Sequence, residues 1–298
     1  MQRSFFMRYL VLALLLAAPV HAADPASELN VVFATPDHIE LRLDYFRPAG
    51  DGPFPLVVCI HGGGWQAGSR ATYQDTQNWF AKKGFASAAI QYRFAPRHRF
   101  PSQLEDVSAA LRFLVKEHKR FRIDPDRIGM LGASAGAHLA LLTGFSELKD
   151  CKIKAVVNMA GPTDLRTFAA AHTGDAALKT GLKRDSAELL ADLLGTKDRK
   201  AEVYKTASPV AHIRKDGPAV LTLHGEDDDI VPIAQAESLH EALKKAGATE
   251  RLIKIKGVGH VFTQWPEKER TAVTLATIDF LEEHLSKPAG GAADPEKR

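Results

Sequence analysis

Apolar residues along this chain fall into short continuous runs that alternate with segments of helical periodicity. Six runs predict buried strands, at 56–60, 85–90, 128–131, 155–159, 220–223 and 252–255. The segments between them predict helices over 73–83, 103–117, 135–144, 233–246 and 271–285. Because continuous apolar strands that alternate with helices are typical of a parallel sheet covered on both faces, the pattern predicts an α/β fold.

Two regions depart from this alternation. The segments 31–34 and 39–45 predict strands, and the second alternates apolar and polar residues as an edge hairpin with one wet face would. The connection between Met159 and Val220 has about sixty residues without a clear strand, and long excursions in compact domains are usually functional or disordered. A predicted helix over 186–194 carries leucines on one side, which indicates either a small cap insertion over the sheet, at about 163–209, or a helix pair on its flank.

The two ends of the chain have compositions of their own. Residues 1–22 combine a basic start, about ten apolar residues and small residues before Ala23, which is typical of a secretory signal peptide. The apolar stretch is shorter than the roughly 20 residues that span a bilayer, so it is not expected to be a membrane-spanning helix. A buried N-terminal helix is the alternative to a signal peptide. We therefore expect a secreted or periplasmic protein with one large α/β domain over 23–286 and a disordered tail over 287–298.

The net charge limits the classes of binding partner that we expect, and the cysteine content bears on disulfide bonds. The leader carries two arginines and no acidic residue, so its removal lowers the net charge from +3 to +1. Near-neutral charge argues against nucleic-acid and membrane partners, and the chain leaves the oligomeric state open. Two cysteines do not form a disulfide framework, and both Cys59 and Cys151 are expected to act as small buried apolar residues.

Ser134 lies in the run Gly-Ala-Ser-Ala-Gly at 132–136, between a predicted strand and a predicted helix. A serine on such a turn takes strained backbone angles, and the flanking glycines let it pass close to the neighbouring strand and helix. The turn exposes the hydroxyl to a substrate. The pattern therefore predicts a nucleophile at Ser134.

Three consecutive glycines follow the first central strand, at 62–64 between His61 and Trp65. They allow close approach of the main chain and can present several N–H groups to one point. A phosphate cradle is the competing interpretation, but the lysine and serine or threonine of a P-loop are missing. Combined with Ser134, the run predicts an oxyanion hole formed by the N–H groups of Gly63, Gly64 and Ala135.

A serine nucleophile needs a histidine base, and the histidine needs an acid that fixes its tautomer. In this class of fold the order along the chain is serine, acid, histidine. Four adjacent acids at 226–229 compete for the second role. Of the histidines that follow, His240 and His284 fall on predicted helix surfaces, whereas His260 lies in a glycine-containing loop directly after a strand, so it is the predicted base.

Several motifs together resemble those of α/β-hydrolase esterases. The similarity covers about 55–285 and includes HGGGW at 61–65, QYRFAP at 91–96, FP at 100–101, LED at 104–106, GASAG at 132–136, GPTDL at 161–165 and HGEDDDIVP at 224–232. The chain is most similar to the group that includes secreted feruloyl and acetyl-xylan esterases, and more distantly to the hormone-sensitive-lipase branch. That branch usually has an acid where this chain has Ala133. The resemblance implies Asp228 as the catalytic acid, with Asp227 and Asp229 as flanking surface acids.

The resemblance implies an α/β-hydrolase fold, with a mostly parallel central sheet and a small cap. It also implies a serine carboxylic-ester hydrolase that works through an acyl-enzyme on small-molecule or polysaccharide esters with short acyl or aromatic groups. Trp65 and Phe262, together with Phe168, are the expected apolar contacts of the substrate. We expect neither cofactor nor metal site. An arylformamidase-like amidase and a catalytically inactive binding protein of the same fold are the alternatives.

Other polar residues near these motifs are expected to be structural. His61 should order the glycine loop through hydrogen bonds, and His138 should pack on the helix that follows Ser134. Asp106 and Asp164 are expected to cap helices or to pair with Arg93.

Overall fold

An eight-stranded sheet forms the centre of the structure, a computed structural model that describes residues 26–146, 148, 151–171 and 184–286. The strands are β1 Ala26–Ala34, β2 Leu41–Arg47, β3 Phe54–Ile60, β4 Ala86–Ile90, β5 Ile123–Ala133, β6 Ile153–Met159, β7 Ala219–Gly225 and β8 Glu250–Ile255. They lie in the order β1-β2-β4-β3-β5-β6-β7-β8. Neighbours from β4 to β8 are parallel, whereas β2 is antiparallel to both β1 and β4. The predicted mostly parallel sheet is therefore confirmed, and the predicted hairpin lies at its edge.

Nine helices are present in the part of the chain that the structure describes. They are α1 Gln74–Lys82, α2 Ser102–Lys116, α3 His118–Phe121, α4 Ala135–Phe145, α5 Leu165–Ala171, α6 Ser186–Leu194, α7 Glu202–Thr206, α8 Ala234–Ala246 and α9 Glu267–Leu285. Short 3-10 turns occupy Pro36–His38, Arg70–Tyr73, Pro209–His212 and Phe262–Gln264. Across these ranges, no helix is both long enough and apolar enough to span a bilayer.

The core lies on both faces of the sheet. In β3, Leu56, Val58 and Ile60 pack into one apolar cluster with residues of α2 and α4. Val57 and Cys59 pack into a second cluster with residues of α1 and α9. A strand that is buried on both faces has a continuous run of apolar residues. The central strands could therefore be predicted from the positions of apolar residues along the chain.

Two strands are longer than the apolar runs that predicted them. β1 begins at Ala26 and not at residue 31, and its exposed polar residues pair through the backbone with β2. β5 begins at Ile123, which pairs with Phe54, and the polar stretch that follows is held by a 2.7 Å ion pair between Arg127 and Asp124. Backbone pairing extends both strands beyond the apolar runs. These runs indicate only which side chains are buried, so they did not predict the polar residues that pair through the backbone.

The long connection between β6 and β7 places α6 at the carboxyl ends of the strands. Its four leucines are buried: Leu189, Leu190, Leu193 and Leu194. A Cβ atom added to Gly64 would lie 3.3 Å from Leu189 Cδ1, so α6 lies over the glycine loop. The Phe100 N–H also donates to the carbonyl of Leu193 over 2.9 Å. Residues 172–183 of the proposed cap, the leader at 1–22 and the tail at 287–298 lie outside the described residues, so the domain boundaries stay predictions.

Candidate active site

Ser134 occupies the single residue between β5 and α4. Its φ of 53° and ψ of −121° lie in a region that residues with a side chain rarely adopt. The turn is held because the Ser134 N–H donates to the carbonyl of Met159, at the end of β6, over 2.8 Å. The strained turn that the sequence predicts at Ser134 is therefore present.

The two glycines of the Ser134 motif are required by backbone contacts. A Cβ atom on Gly132 would overlap the carbonyl of Gly136, and a Cβ atom on Gly136 would overlap the carbonyl of Ile60. Both obstacles are main chain, which cannot rotate away as a side chain could. The glycines therefore let α4 start directly against the end of β3.

The glycine loop after β3 lies beside Ser134. A Cβ atom on Gly62 would lie 3.3 Å from the Cβ of Ser134. Gly63 and Gly64 have φ values of +110° and +59°, which glycine adopts without strain, and Trp65 follows with a φ of 60°. The N–H of Ala135 belongs to the first turn of α4, where backbone donors have no intrahelical acceptor. The three predicted N–H donors thus belong to residues that line one cavity with Ser134.

His61 supports the loop from below, as the sequence predicts. Its Nδ1 donates to the carbonyl of Gly62 over 2.8 Å, and its ring stacks on Tyr92 with 4.5 Å between ring centroids. The Tyr92 hydroxyl donates to the His61 carbonyl over 3.0 Å. Burial lowers the pKa of His61, which keeps the ring neutral near pH 7.

Asp228 and His260 are joined across the loops that follow β7 and β8. His260 Nδ1 donates to Asp228 Oδ2 over 2.7 Å, and the Asp228 side chain is fully buried. Asp228 Oδ1 accepts from the N–H groups of Ile230 and Val231 over 2.9 and 2.8 Å. Burial alone would raise the pKa of Asp228, but hydrogen bonds from His224 and His260 hold it well below its usual range. Asp228 is therefore a carboxylate, which fixes His260 with a free lone pair on Nε2.

Of the four adjacent acids, only Asp228 is directed into the protein. Glu226, Asp227 and Asp229 are exposed to solvent. This geometry agrees with the position that the family motif implies.

His224 also contacts Asp228, a contact that the sequence did not reveal. Its Nε2 lies 2.8 Å from the Val231 carbonyl and 3.2 Å from Asp228 Oδ2. Because both are acceptors, Nε2 carries the hydrogen. The position of His224 four residues before Asp228 in the HGEDDDIVP motif is the signal that could have indicated this contact.

The loop that carries His260 is anchored by two hydrogen bonds. The Asp227 N–H donates to the carbonyl of Val258 over 3.1 Å, which joins this loop to the one carrying Asp228. The indole N–H of Trp265 donates to the carbonyl of Gly259 over 2.8 Å. These bonds fix the main chain on the N-terminal side of His260.

Ser134 and His260 line the same cavity of about 490 Å³. Among the described residues, the hydrogen bonds do not include one between Ser134 Oγ and His260 Nε2. Such contacts are often long in unliganded enzymes and tighten when a substrate binds.

The predicted substrate contacts lie on the wall of this cavity. Trp65, Phe168 and Phe262 line it together with Leu189, so the wall is largely apolar. Phe262 also lines a second cavity of about 390 Å³ on the side of α1 and α9.

The other histidines and acids that the sequence analysis considered have partners elsewhere in the structure. His240 is 2% exposed and bonds to Glu250 at the start of β8, so its interpretation as a helix-surface residue was wrong. His284 is partly buried beside Phe280. The side chains of Arg93 and Asp106 are paired at 2.8 Å, and Asp164 Oδ1 accepts from the N–H of Arg166 in the first turn of α5, in agreement with the structural roles expected of both acids.

The sheet order and the serine turn between β5 and α4 define an α/β-hydrolase. The chain belongs to the BD-FAE family, whose model matches residues 43–243. The resemblance inferred from the motifs is thereby confirmed at the level of the family.

Similar proteins carry esterase names. Esterase LipC of Mycobacterium tuberculosis is 30% identical over 226 residues, which are 70% of this chain and 53% of LipC. A probable carboxylic ester hydrolase of the same organism, LipM, is 28% identical over 82% of this chain and 58% of its own length. This chain thus spans about half the length of the curated relatives it matches.

Solved structures match over a larger share of their length. A truncated carbohydrate esterase from gut microbiota has a TM-score of 0.73 at 27% identity, with 91% of this chain and 99% of that chain covered. Thermogutta terrifontis esterase 2 has a TM-score of 0.69 at 27% identity, with 89% and 95% covered. A form of that esterase phosphonylated by sarin has a TM-score of 0.72 at 27% identity, with 88% and 96% covered.

His138 connects Trp65 to Ala207, the residue that follows α7. It is fully buried on α4, and its Nδ1 accepts the indole N–H of Trp65 over 3.2 Å. Its Nε2 donates to the carbonyl of Ala207 over 2.7 Å. Burial lowers the pKa of His138 to about 4. The neutral ring therefore supplies the one acceptor and one donor that these neighbours need.

The low pKa of His138 predicts a pH dependence of stability. Below about pH 6.5 an unfolded histidine takes up a proton, whereas folded His138 does not until about pH 4. The unfolded state thus binds more protons, and the free energy of unfolding falls as the pH drops through this window. Urea unfolding at pH 7.5 and pH 5 should show a smaller loss in His138→Gln than in the wild type. His212→Gln, at an exposed histidine, is the control, and equal losses in all three proteins would contradict the prediction.

Proposed function

We propose that this chain is a serine carboxylic-ester hydrolase that acts through an acyl-enzyme. Ser134 is the nucleophile, His260 the general base and Asp228 the acid that orients it. The observation that carries the proposal is the 2.7 Å bond from His260 Nδ1 to buried Asp228, in a cavity that Ser134 also lines on a strained turn. The esterase names of the relatives support the same chemistry.

In the acylation step, His260 Nε2 hydrogen-bonds to the Ser134 hydroxyl. Nε2 takes the hydroxyl proton while Oγ forms a bond to the ester carbonyl carbon. The resulting tetrahedral intermediate collapses, the bond to the alcohol oxygen breaks, and His260 returns the proton to the departing alcohol. A water molecule then attacks the acyl group in the same way and releases the acid.

The protein stabilises two charges in each tetrahedral intermediate, the negative oxyanion and the positive imidazolium of His260. The N–H groups of Gly63, Gly64 and Ala135 donate to the oxyanion, and each such donor typically contributes about 3 kcal/mol to transition-state stabilisation. Asp228 stabilises the imidazolium that forms on His260, because its low pKa keeps it negative throughout. When a substrate displaces water from the largely apolar cavity, the local dielectric constant falls. The interactions of the oxyanion with the N–H groups and of Asp228 with the imidazolium then become stronger.

Short acyl or aromatic esters are the proposed substrates, on small molecules or on polysaccharide. A cavity of about 490 Å³ with aromatic walls is large enough for an acetyl or a feruloyl group with part of its alcohol. The carbohydrate esterase among the solved relatives supports the polysaccharide assignment. We also propose that the protein is exported, on the signal-peptide pattern of residues 1–22.

Ser134→Ala removes the nucleophile and is expected to lower the hydrolysis of 4-nitrophenyl acetate about 10⁴-fold or more. Steady-state kinetics measure the loss, and circular dichroism checks that the variant is folded. Ser27→Ala, at an exposed serine of β1, is the matched control and should retain wild-type activity. Activity of Ser134→Ala within tenfold of wild type contradicts the assignment of the nucleophile.

Asp228→Asn tests the choice among the four acids. The amide cannot stabilise the imidazolium and favours the wrong tautomer of His260, so kcat should fall about 10²- to 10⁴-fold. Asp227→Asn and Asp229→Asn change the same charge at neighbouring exposed positions and should leave kcat within about twofold. A larger loss in either neighbour than in Asp228→Asn would assign the acid differently.

A substrate comparison separates the esterase from the amidase. The kcat/KM values on acetylated xylan and methyl ferulate should exceed that on formylkynurenine at least about tenfold, because an alcohol leaves more readily than an amine. A preference for formylkynurenine would favour the arylformamidase alternative. Turnover of none of the three and of no 4-nitrophenyl ester would favour an inactive binding protein.

A further inference from the structure

Arg184 brings a positive charge to an otherwise apolar cavity. Apart from Ser134 and His260, it is the only hydroxyl-bearing or ionisable side chain among the described residues that line the cavity. The indole N–H groups of Trp65 and Trp265 donate to His138 and to Gly259. The proposed reaction needs no cation here, since backbone N–H groups hold the oxyanion.

The guanidinium is held in place from two sides. Arg184 Nη2 donates to Asp192 Oδ2 on α6 over 3.0 Å, and Nη1 donates to Gln66 Oε1 over 3.2 Å. Gln66 follows the glycine loop, and its own Nε2 donates to Asp192 Oδ2 over 2.9 Å. This closed set of three side chains fixes the arginine between α6 and the loop beside Ser134.

Arg184 retains capacity for a further acceptor. Of the five N–H donors of a guanidinium, two are used by Asp192 and Gln66, and the others have no acceptor among the residues that the structure describes. The side chain is 36% exposed, so a ligand in the cavity can reach it. A planar guanidinium with donors to spare is suited to a carboxylate, which it can bind with two parallel hydrogen bonds.

We propose that Arg184 binds a carboxylate of the substrate, and that the enzyme prefers esters whose alcohol or acyl part is acidic. This inference rests on the proposed function, and it names the class of ester that the cavity takes. Acidic sugars esterified on a hydroxyl group and half-esters of dicarboxylic acids belong to this class. Asp192 opposes such a ligand with its own charge, so it limits the strength of the preference while it orients the arginine.

The competing interpretation is that Arg184 only ties α6 to the glycine loop. Loss of a purely structural tie would affect all esters equally, whereas loss of a carboxylate contact affects acidic esters alone. Two pairs of esters make this distinction. 4-Acetoxybenzoate and its methyl ester differ in charge on the alcohol side, and mono-4-nitrophenyl adipate and 4-nitrophenyl hexanoate differ on the acyl side.

The test measures kcat/KM for both pairs with the wild type and with Arg184→Gln. In at least one pair, the variant should lose about tenfold on the acidic ester, mainly through a higher KM, and stay within about twofold on the neutral ester. Arg251→Gln removes a surface arginine that is paired with Glu283 and does not line the cavity, so it controls for overall charge. It should change neither ester of a pair selectively.

Asp192→Asn provides a second variant in case Arg184→Gln does not fold. Removal of the opposing charge should raise kcat/KM for the acidic ester of the responsive pair and leave its neutral partner unchanged. Equal effects of these variants on both members of each pair, or no effect on any ester, would overturn the inference while the proposed esterase stands. Failure of the wild type to cleave either neutral ester would instead overturn the proposed function and this inference with it.

Discussion

The site depends on how closely the main chain of β5 and α4 approaches the end of β3. Ile60 pairs with Gly132 in the sheet, and Gly136 then passes directly against the carbonyl of Ile60. This contact sets the height of Ser134 above the sheet and the position of the glycine loop, which begins at the next residue of the chain. A single backbone contact thus places the proposed nucleophile and its expected oxyanion donors in one arrangement, whatever substrate fills the cavity.

The site also requires that the buried carboxyl group of Asp228 remain ionised. Burial works against ionised Asp228, and two backbone N–H groups and two histidines offset that cost. The loops after β7 and β8 must therefore meet for Asp228 to be stable as a carboxylate. Their packing supports both the fold at this edge of the sheet and the orientation of His260, so we expect damage to either loop to affect stability and catalysis together.

Much of this arrangement could be predicted from the sequence, because the relevant signals are local. Central strands that are buried on both faces leave continuous apolar runs, and the Ser134 turn leaves its two glycines. His260 could be predicted from its place after the last strand. By contrast, the residues that flank His240 in the sequence are typical of an exposed helix, whereas the folded chain buries its side chain and bonds it to Glu250 of another element. The contact between Arg184 and Gln66 joins segments far apart in the chain, so no spacing rule could have revealed it.

The proposed mechanism requires Ser134 to be an activated nucleophile. Incubation with a fluorophosphonate, followed by intact-protein mass spectrometry and peptide mapping, measures this directly, because the reagent forms a stable bond with such a serine. We expect one adduct per chain, on the peptide that contains Ser134. An unmodified protein, or an adduct on another residue with Ser134 intact, would contradict it.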